Sequence, residues 1–194
     1  MIKSKFRFLT IIAIIALIGF GTTSCGETGD DPQYNLGDTG PGGGIIFYYN
    51  SAGFNMTDTG NKAFYLEVAP EDLGSLEWQT PSDDIAGTGT GIGTGRKNTA
   101  LIHAFNGNTP AAKACAELNI GDRTDWFLPS VDELDALYQY WNDNGKPAKL
   151  NFIIDHYWSS TQDVTNVAFC HDFSGIPAGM TKNTPLNVRA IRAF

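Results

Sequence analysis

The sequence predicts an α+β domain with a largely antiparallel sheet, two helices and long irregular loops. Three observations lead there. Segments rich in β-formers gather at the two ends of the folded body, and two helix-like segments follow one another between them. No regular strand–helix alternation calls for a parallel sheet. The 194 residues include twelve Phe, seven Tyr and four Trp, enough for a single domain with a sizeable core.

The N-terminus reads as a targeting segment. "MIKSKFRF" carries Lys3, Lys5 and Arg7, and Leu9 to Phe20 is apolar apart from Thr10. That run is too short to cross roughly 30 Å of hydrocarbon as a helix. With the small residues Thr22, Thr23 and Ser24 behind it, it describes a secretory signal. Cys25 follows at once and resembles the lipidated cysteine of a bacterial lipobox, with Thr22 where the usual pattern has leucine. The alternative is an ordinary signal peptide with a cysteine nearby by chance. The expected organisation is a signal peptide over residues 1–24, a lipidated Cys25 with a Gly-rich tether over 25–42, and a single domain over 43–194. The protein is then exported and held on a membrane by its lipid, at the outer membrane or cell surface.

Removing the signal leaves ten basic against twenty-one acidic residues, a net charge of −11. Such a chain is a poor electrostatic partner for nucleic acid. Arg189 and Arg192 are the one tight basic pair beside a predicted strand. Cys115 and Cys170 remain after Cys25. In an oxidising compartment they are expected to bridge, closing a loop of about 55 residues for roughly 4 kcal/mol. Two buried thiols that never meet are the alternative.

Along the body, Gly43 to Asn50 ("GGIIFYYN") and Lys62 to Pro70 ("KAFYLEVAP") read as the first two strands, joined by hairpin-like turn residues. Glu71 to Gly107 shows no helical period and reads as irregular. Thr109 then supplies a helix N-cap with Pro110 in the first turn, and Ala112, Cys115 and Leu118 give one face. In the second helix Ser130 and Glu133 form a capping box, followed by an apolar stripe of Val131, Leu134, Leu137, Tyr138 and Trp141. "HYWSSTQ" from His156, "NVAFCHDF" from Asn166 and "NVRAIRAF" from Asn187 read as three further strands.

The run "GTGTGIGTGRKNT" (Gly87 to Thr99) invites a phosphate-binding reading, which its spacing excludes. Both common phosphate signatures need glycines an odd number of positions apart, and Gly87, Gly89, Gly91, Gly93 and Gly95 all stand at odd positions. It is expected to be a structural loop, with a ligand-contacting loop as the alternative.

No catalytic, cofactor or metal site emerges. "WND" at Trp141 to Asp143 resembles a lectin calcium triplet but lies at a helix end without the other oxygen ligands calcium needs. His103, His156 and His171 lack a zinc spacing, although His156 and His171 could face each other on adjacent strands. Ser159 and Ser160 lack a nucleophile elbow, and one is expected to be bonded in the interior while the other is free. The carboxylate pairs Glu71 with Asp72, Asp83 with Asp84 and Asp132 with Glu133 are expected in solvated loops or at a helix start.

"GPGGGIIFY", "GTGRKNT", "DWFLPSVDEL", "YWSST" and "VRAIRAF", in that order between about Asn35 and Phe194, resemble the Lcl C-terminal domain family, found at the end of a bacterial collagen-like adhesin. The resemblance implies a C-type-lectin-like fold displayed on exported or lipid-anchored proteins, and adhesion to extracellular polymers rather than catalysis. One departure stands out: the strand after "YWSST" carries Phe169 and His171 where an exposed aromatic pair is more common. The expected partner is therefore an extracellular glycan or protein, its binding residues unknown, with neutral glycans favoured over acidic ones by charge. A structural or assembly module of the envelope and a glycan-acting enzyme are the alternatives.

Overall fold

The computed structural model describes residues 33–175 and 177–194. The signal and Cys25 lie outside the described residues. The strands are β1 (Ile45–Asn55), β2 (Lys62–Val68), β3 (Ser75–Leu76), β4 (His156–Val164), β5 (Val167–Asp172), β6 (Pro177–Thr181), β7 (Leu186–Asn187) and β8 (Ile191–Ala193). The helices are α1 (Gly95–His103), α2 (Pro110–Ala116) and α3 (Val131–Asp143).

The α+β class stands, with corrections. The described residues form two sheets, ordered β1-β2-β8 and β3-β7-β4-β5-β6. All named pairings are antiparallel except one parallel contact, Tyr157 with Asn187. The terminal "NVRAIRAF" is not one strand. Asn187 ends β7 in the five-stranded sheet, and Ile191 to Ala193 pair with β2 in the other. A third helix, α1, occupies part of the segment expected to be irregular.

Alternation along β4 explains how one chain fills two apolar clusters. Tyr157 joins Leu66, Leu134, Leu137, Trp141 and Phe173 between α3 and the three-stranded sheet. Its neighbour Trp158 points the other way, into a cluster with Trp78, Ile102, Cys115, Cys170 and Val188 beneath α1 and α2. Substituting either ring by alanine would cost on the order of 3–5 kcal/mol.

The helix ends obey local chemistry to different degrees. Ser130 Oγ accepts from Glu133 N–H, and Glu133 Oε2 accepts from Ser130 N–H at 2.7 Å, completing the box at α3. Thr109 sits at the N-cap of α2, but its side chain makes no capping bond, so Pro110 is the stronger start signal there. No helix among the described residues is long and apolar enough to cross a membrane.

Candidate functional site

The glycine run is a clamp inside the frame. Gly93 N–H donates to Glu133 Oε1 at 2.8 Å, Ser130 Oγ donates to Gly91 O at 3.0 Å, and Asp132 N–H donates to Thr90 O at 3.1 Å. The run therefore lies across the N-terminus of α3. Asn98, buried on α1, receives Gly89 N–H at 2.8 Å and returns its amide to Gly89 O at 2.7 Å. Thr161 of β4 donates to the same carbonyl at 2.8 Å. Two glycines are required by space: a Cβ on Gly93 would meet the Asn55 carbonyl, and one on Gly95 would meet Glu133 Oε2. Gly93 also has φ +90°, which L side chains rarely adopt. The inward bonds support the structural-loop reading of this run.

The two arginines near the C-terminus are internal as well. Arg189 is buried, with Nε on Asp72 Oδ1 at 2.5 Å and Nη1 reaching the carbonyls of Ala69, Pro70 and Leu150 at 3.0 Å each. Arg192 Nη1 meets the buried Glu67 at 2.7 Å, and its Nε meets Asp125 at 2.5 Å. Glu67 in turn accepts from Gly42 and Gly44 N–H, tying the segment before β1 to β2. The basic pair flagged in the sequence is thus consumed by the fold.

α1, held in place by the clamp, forms one wall of a cleft of about 220 Å³. Arg96, Thr99, Ala100 and His103 face the end of α2 at Ala116 and the segment Thr124 to Phe127. The charges here are paired within the protein. Arg96 binds Asp58 through two nitrogens, at 2.7 and 3.1 Å, and Asp125 is held by Arg192. Thr99 Oγ1 donates to Gly95 O and accepts from Leu128 N–H. The exposed Ala100 and His103 form the accessible wall. Such a cleft can take a small uncharged or apolar group.

The other sequence candidates resolve individually. Cys115 and Cys170 are both free and buried in one apolar cluster, so the expected bridge is absent from the structure. Burial pushes both thiols up, Cys170 to about 12. Trp141 is buried in the core, as its place in the α3 stripe implied. His156 pairs with Asp172 and Tyr157 with His171, so the two imidazoles leave opposite faces of the sheet rather than facing each other. His171 is buried and stacks on Tyr138 at 4.4 Å, with Asp135 Oδ1 3.4 Å from Nε2. Burial holds its pKa below the ordinary value. Ser159 and Ser160 are both buried, contrary to the expectation that one is free. Ser159 Oγ donates to Phe169 O at 2.7 Å, while Ser160 Oγ accepts from Asn98 at 3.2 Å. Asp72 is no solvated loop acid, since it closes the Arg189 pair. Phe169 is half-buried, so neither it nor His171 offers an open aromatic platform. Among the described residues no cluster of histidine, cysteine and carboxylate side chains could hold a metal.

The cleft itself was not legible in the sequence. Its walls come from α1, read as loop, and from "TDWF", read only as part of a motif. No curated protein matches the chain. Its structure is similar to that of a fimbrial protein from Bacteroides ovatus, with a TM-score of 0.52 and 15% identity. That likeness covers 78% of this chain and 44% of the other, so the chain spans less than half the length of that neighbour. The profile of the Lcl C-terminal domain matches residues 68–192, more than half of the sequence. The matched span contains α1, the clamp, the cleft and both structural arginines, and the chain belongs to the Lcl C-terminal domain family.

Proposed function

We propose that the chain is a non-catalytic surface module that holds an extracellular ligand, a neutral glycan or an uncharged stretch of protein, in the cleft beside α1. The observation carrying this reading is the pairing of Arg96 with Asp58 and of Asp125 with Arg192 at the cleft. A ligand entering there meets apolar atoms and neutral hydrogen-bonding groups, with no unpaired charge to satisfy. The acidic surface opposes polyanions, in agreement with an uncharged ligand. Export by the N-terminal signal, lipidation at Cys25 and display at the outer membrane or cell surface complete the proposal, as does kinship with C-type-lectin-like folds. Solid-phase binding of the purified chain to arrays of neutral glycans, sulfated glycans and matrix proteins tests it. Binding to neutral spots is expected. Silence on every spot, or binding confined to sulfated glycans, refutes it.

The fold likeness to a fimbrial protein favours a second reading, an assembly module of a surface structure. β6 stands at the outer edge of its sheet with no charged side chain from Pro177 to Thr181, a form of edge that accepts a further strand. A stoichiometric envelope partner co-purifying with the native chain, together with silent arrays, would support that reading instead.

A further inference from the structure

A buried lysine lies against a side-chain amide that is already polarised. Lys182 follows β6 and is wholly buried. Its backbone is fixed from both sides: its N–H donates to Asn166 O at 3.0 Å, and its carbonyl accepts from Trp78 and Gln79 N–H. Nζ lies 4.5 Å from the centre of the Trp78 ring and 2.6 Å from Oε1 of Gln162 on β4. Gln79 Oε1 at 2.9 Å and Asp83 O at 2.6 Å complete its contacts.

The Gln162 amide is held in one orientation. Its Oε1 also accepts from the backbone N–H of Ile85 at 2.8 Å, and its Nε2 donates to Asp84 Oδ1 at 2.5 Å. Besides the attacking amine, the oxygen therefore keeps one donor, the Ile85 N–H, and a carboxylate contacts the nitrogen that would leave. These are groups acyl transfer uses: a buried amine beside the carbonyl, a backbone donor on the oxygen where charge develops, and a carboxylate at the leaving nitrogen.

We propose that Lys182 and Gln162 form an intramolecular isopeptide bond. Nζ of the neutral amine attacks Cδ of Gln162, the Cδ–Nε2 bond breaks, and ammonia leaves. The proton lost from Nζ ends on the departing nitrogen, which leaves as ammonia from beside the Asp84 carboxylate. No oxidant, metal or second substrate is consumed. Burial lowers the Lys182 pKa to about 8, against the opposing pull of Asp84 and Asp83. Roughly a tenth of the amine is then neutral at pH 7, which supplies the nucleophile. The product would tie β4 to the β6–β7 turn covalently, a useful brace in a domain that bears load at a surface. The inference stands independently of which ligand occupies the cleft.

The test is mass spectrometry of the full purified chain. A mass about 17 Da below that of the unlinked polypeptide is expected, together with a branched proteolytic peptide joining Lys182 to Gln162. Lys182→Arg, which keeps the charge, should restore the missing 17 Da and lose the branched peptide. Asp84→Ala should leave a larger unlinked fraction after equal incubation at pH 8. Unmodified peptides containing Lys182 and Gln162 in the native chain would overturn the proposal. So would a 17 Da loss mapped to an asparagine, or a branch to Gln79 instead.

Discussion

Replacing Gly95 by alanine sets two principles against each other. Gly95 opens α1, and in an exposed helix Ala is better than Gly by about 1 kcal/mol. Here the added Cβ would overlap Glu133 Oε2 and stand 2.8 Å from Ser130 N and 3.0 Å from Leu128 O. Backbone atoms and a buried, fully engaged carboxylate have little room to yield. Overpacking costs about 1–3 kcal/mol, and displacing Glu133 would strand the Gly93 and Ser130 N–H groups at about 1–3 kcal/mol more. The cost wins, and Gly95→Ala should destabilise by about 2 kcal/mol net, lowering Tm by roughly 5 °C in a domain of this size. Gly91→Ala is the matched control: its Cβ meets nothing within 4 Å, so its stability should stay within about 0.5 kcal/mol of the parent. Calorimetry on both variants decides. A Gly95→Ala protein as stable as the parent, or a Gly91→Ala protein as damaged as Gly95→Ala, would refute the clamp.

Three other outcomes are expected. Burial raises the Glu133 carboxyl from 4.5 to about 7, against the N–H donors that oppose the shift. The folded state then binds the extra proton between those values, so this group's contribution falls as pH rises from about 4.5 through 7, by up to about 3 kcal/mol. Glu133→Gln should be less stable at pH 5, because its amide nitrogen must face an N–H donor. The stability gap to the parent should shrink towards pH 8, as read in urea melts; the lowered His171, which acts in the opposite sense, cancels in that difference. Arg189→Ala should cost about 3–5 kcal/mol by leaving Asp72 and three carbonyls without their donor, and a loss below 1 kcal/mol in urea unfolding would contradict that. Cys115 and Cys170 should both react with a thiol reagent without prior reduction, but only after denaturant is added. A requirement for reductant would instead restore the bridge expected from the sequence.

The sequence showed most clearly what local chemistry encodes. Ser130 and Glu133 announced the start of α3, and β-formers between glycine-containing or polar turn segments marked β1, β2, β4 and β5. α1 was hidden because it starts on a glycine and carries Asn98 and Thr99, poor helix formers retained for the bonds they make to Gly89 and Leu128. β6, with the sequence Pro-Ala-Gly-Met-Thr, has almost no intrinsic strand preference and exists because β5 offers it a partner. Glu133 was legible as half of a capping box, but not as the acceptor for a glycine forty residues upstream. The cleft was harder still, since it exists only where three separated segments meet. Long-range contacts of this kind leave no period or spacing in the chain.

The most direct test of the binding account fills the cleft. Ala100 is exposed on the cleft wall of α1, so Ala100→Trp should block the cleft without disturbing either core. Binding of the parent and of this variant would be measured on the same neutral-glycan and matrix-protein array, in low salt and again in about 0.5 M salt, where charge attraction is screened beyond a few ångströms. The account predicts parent binding that survives high salt and disappears in a variant of unchanged Tm. Undiminished binding by Ala100→Trp, or parent binding abolished by salt, would contradict it.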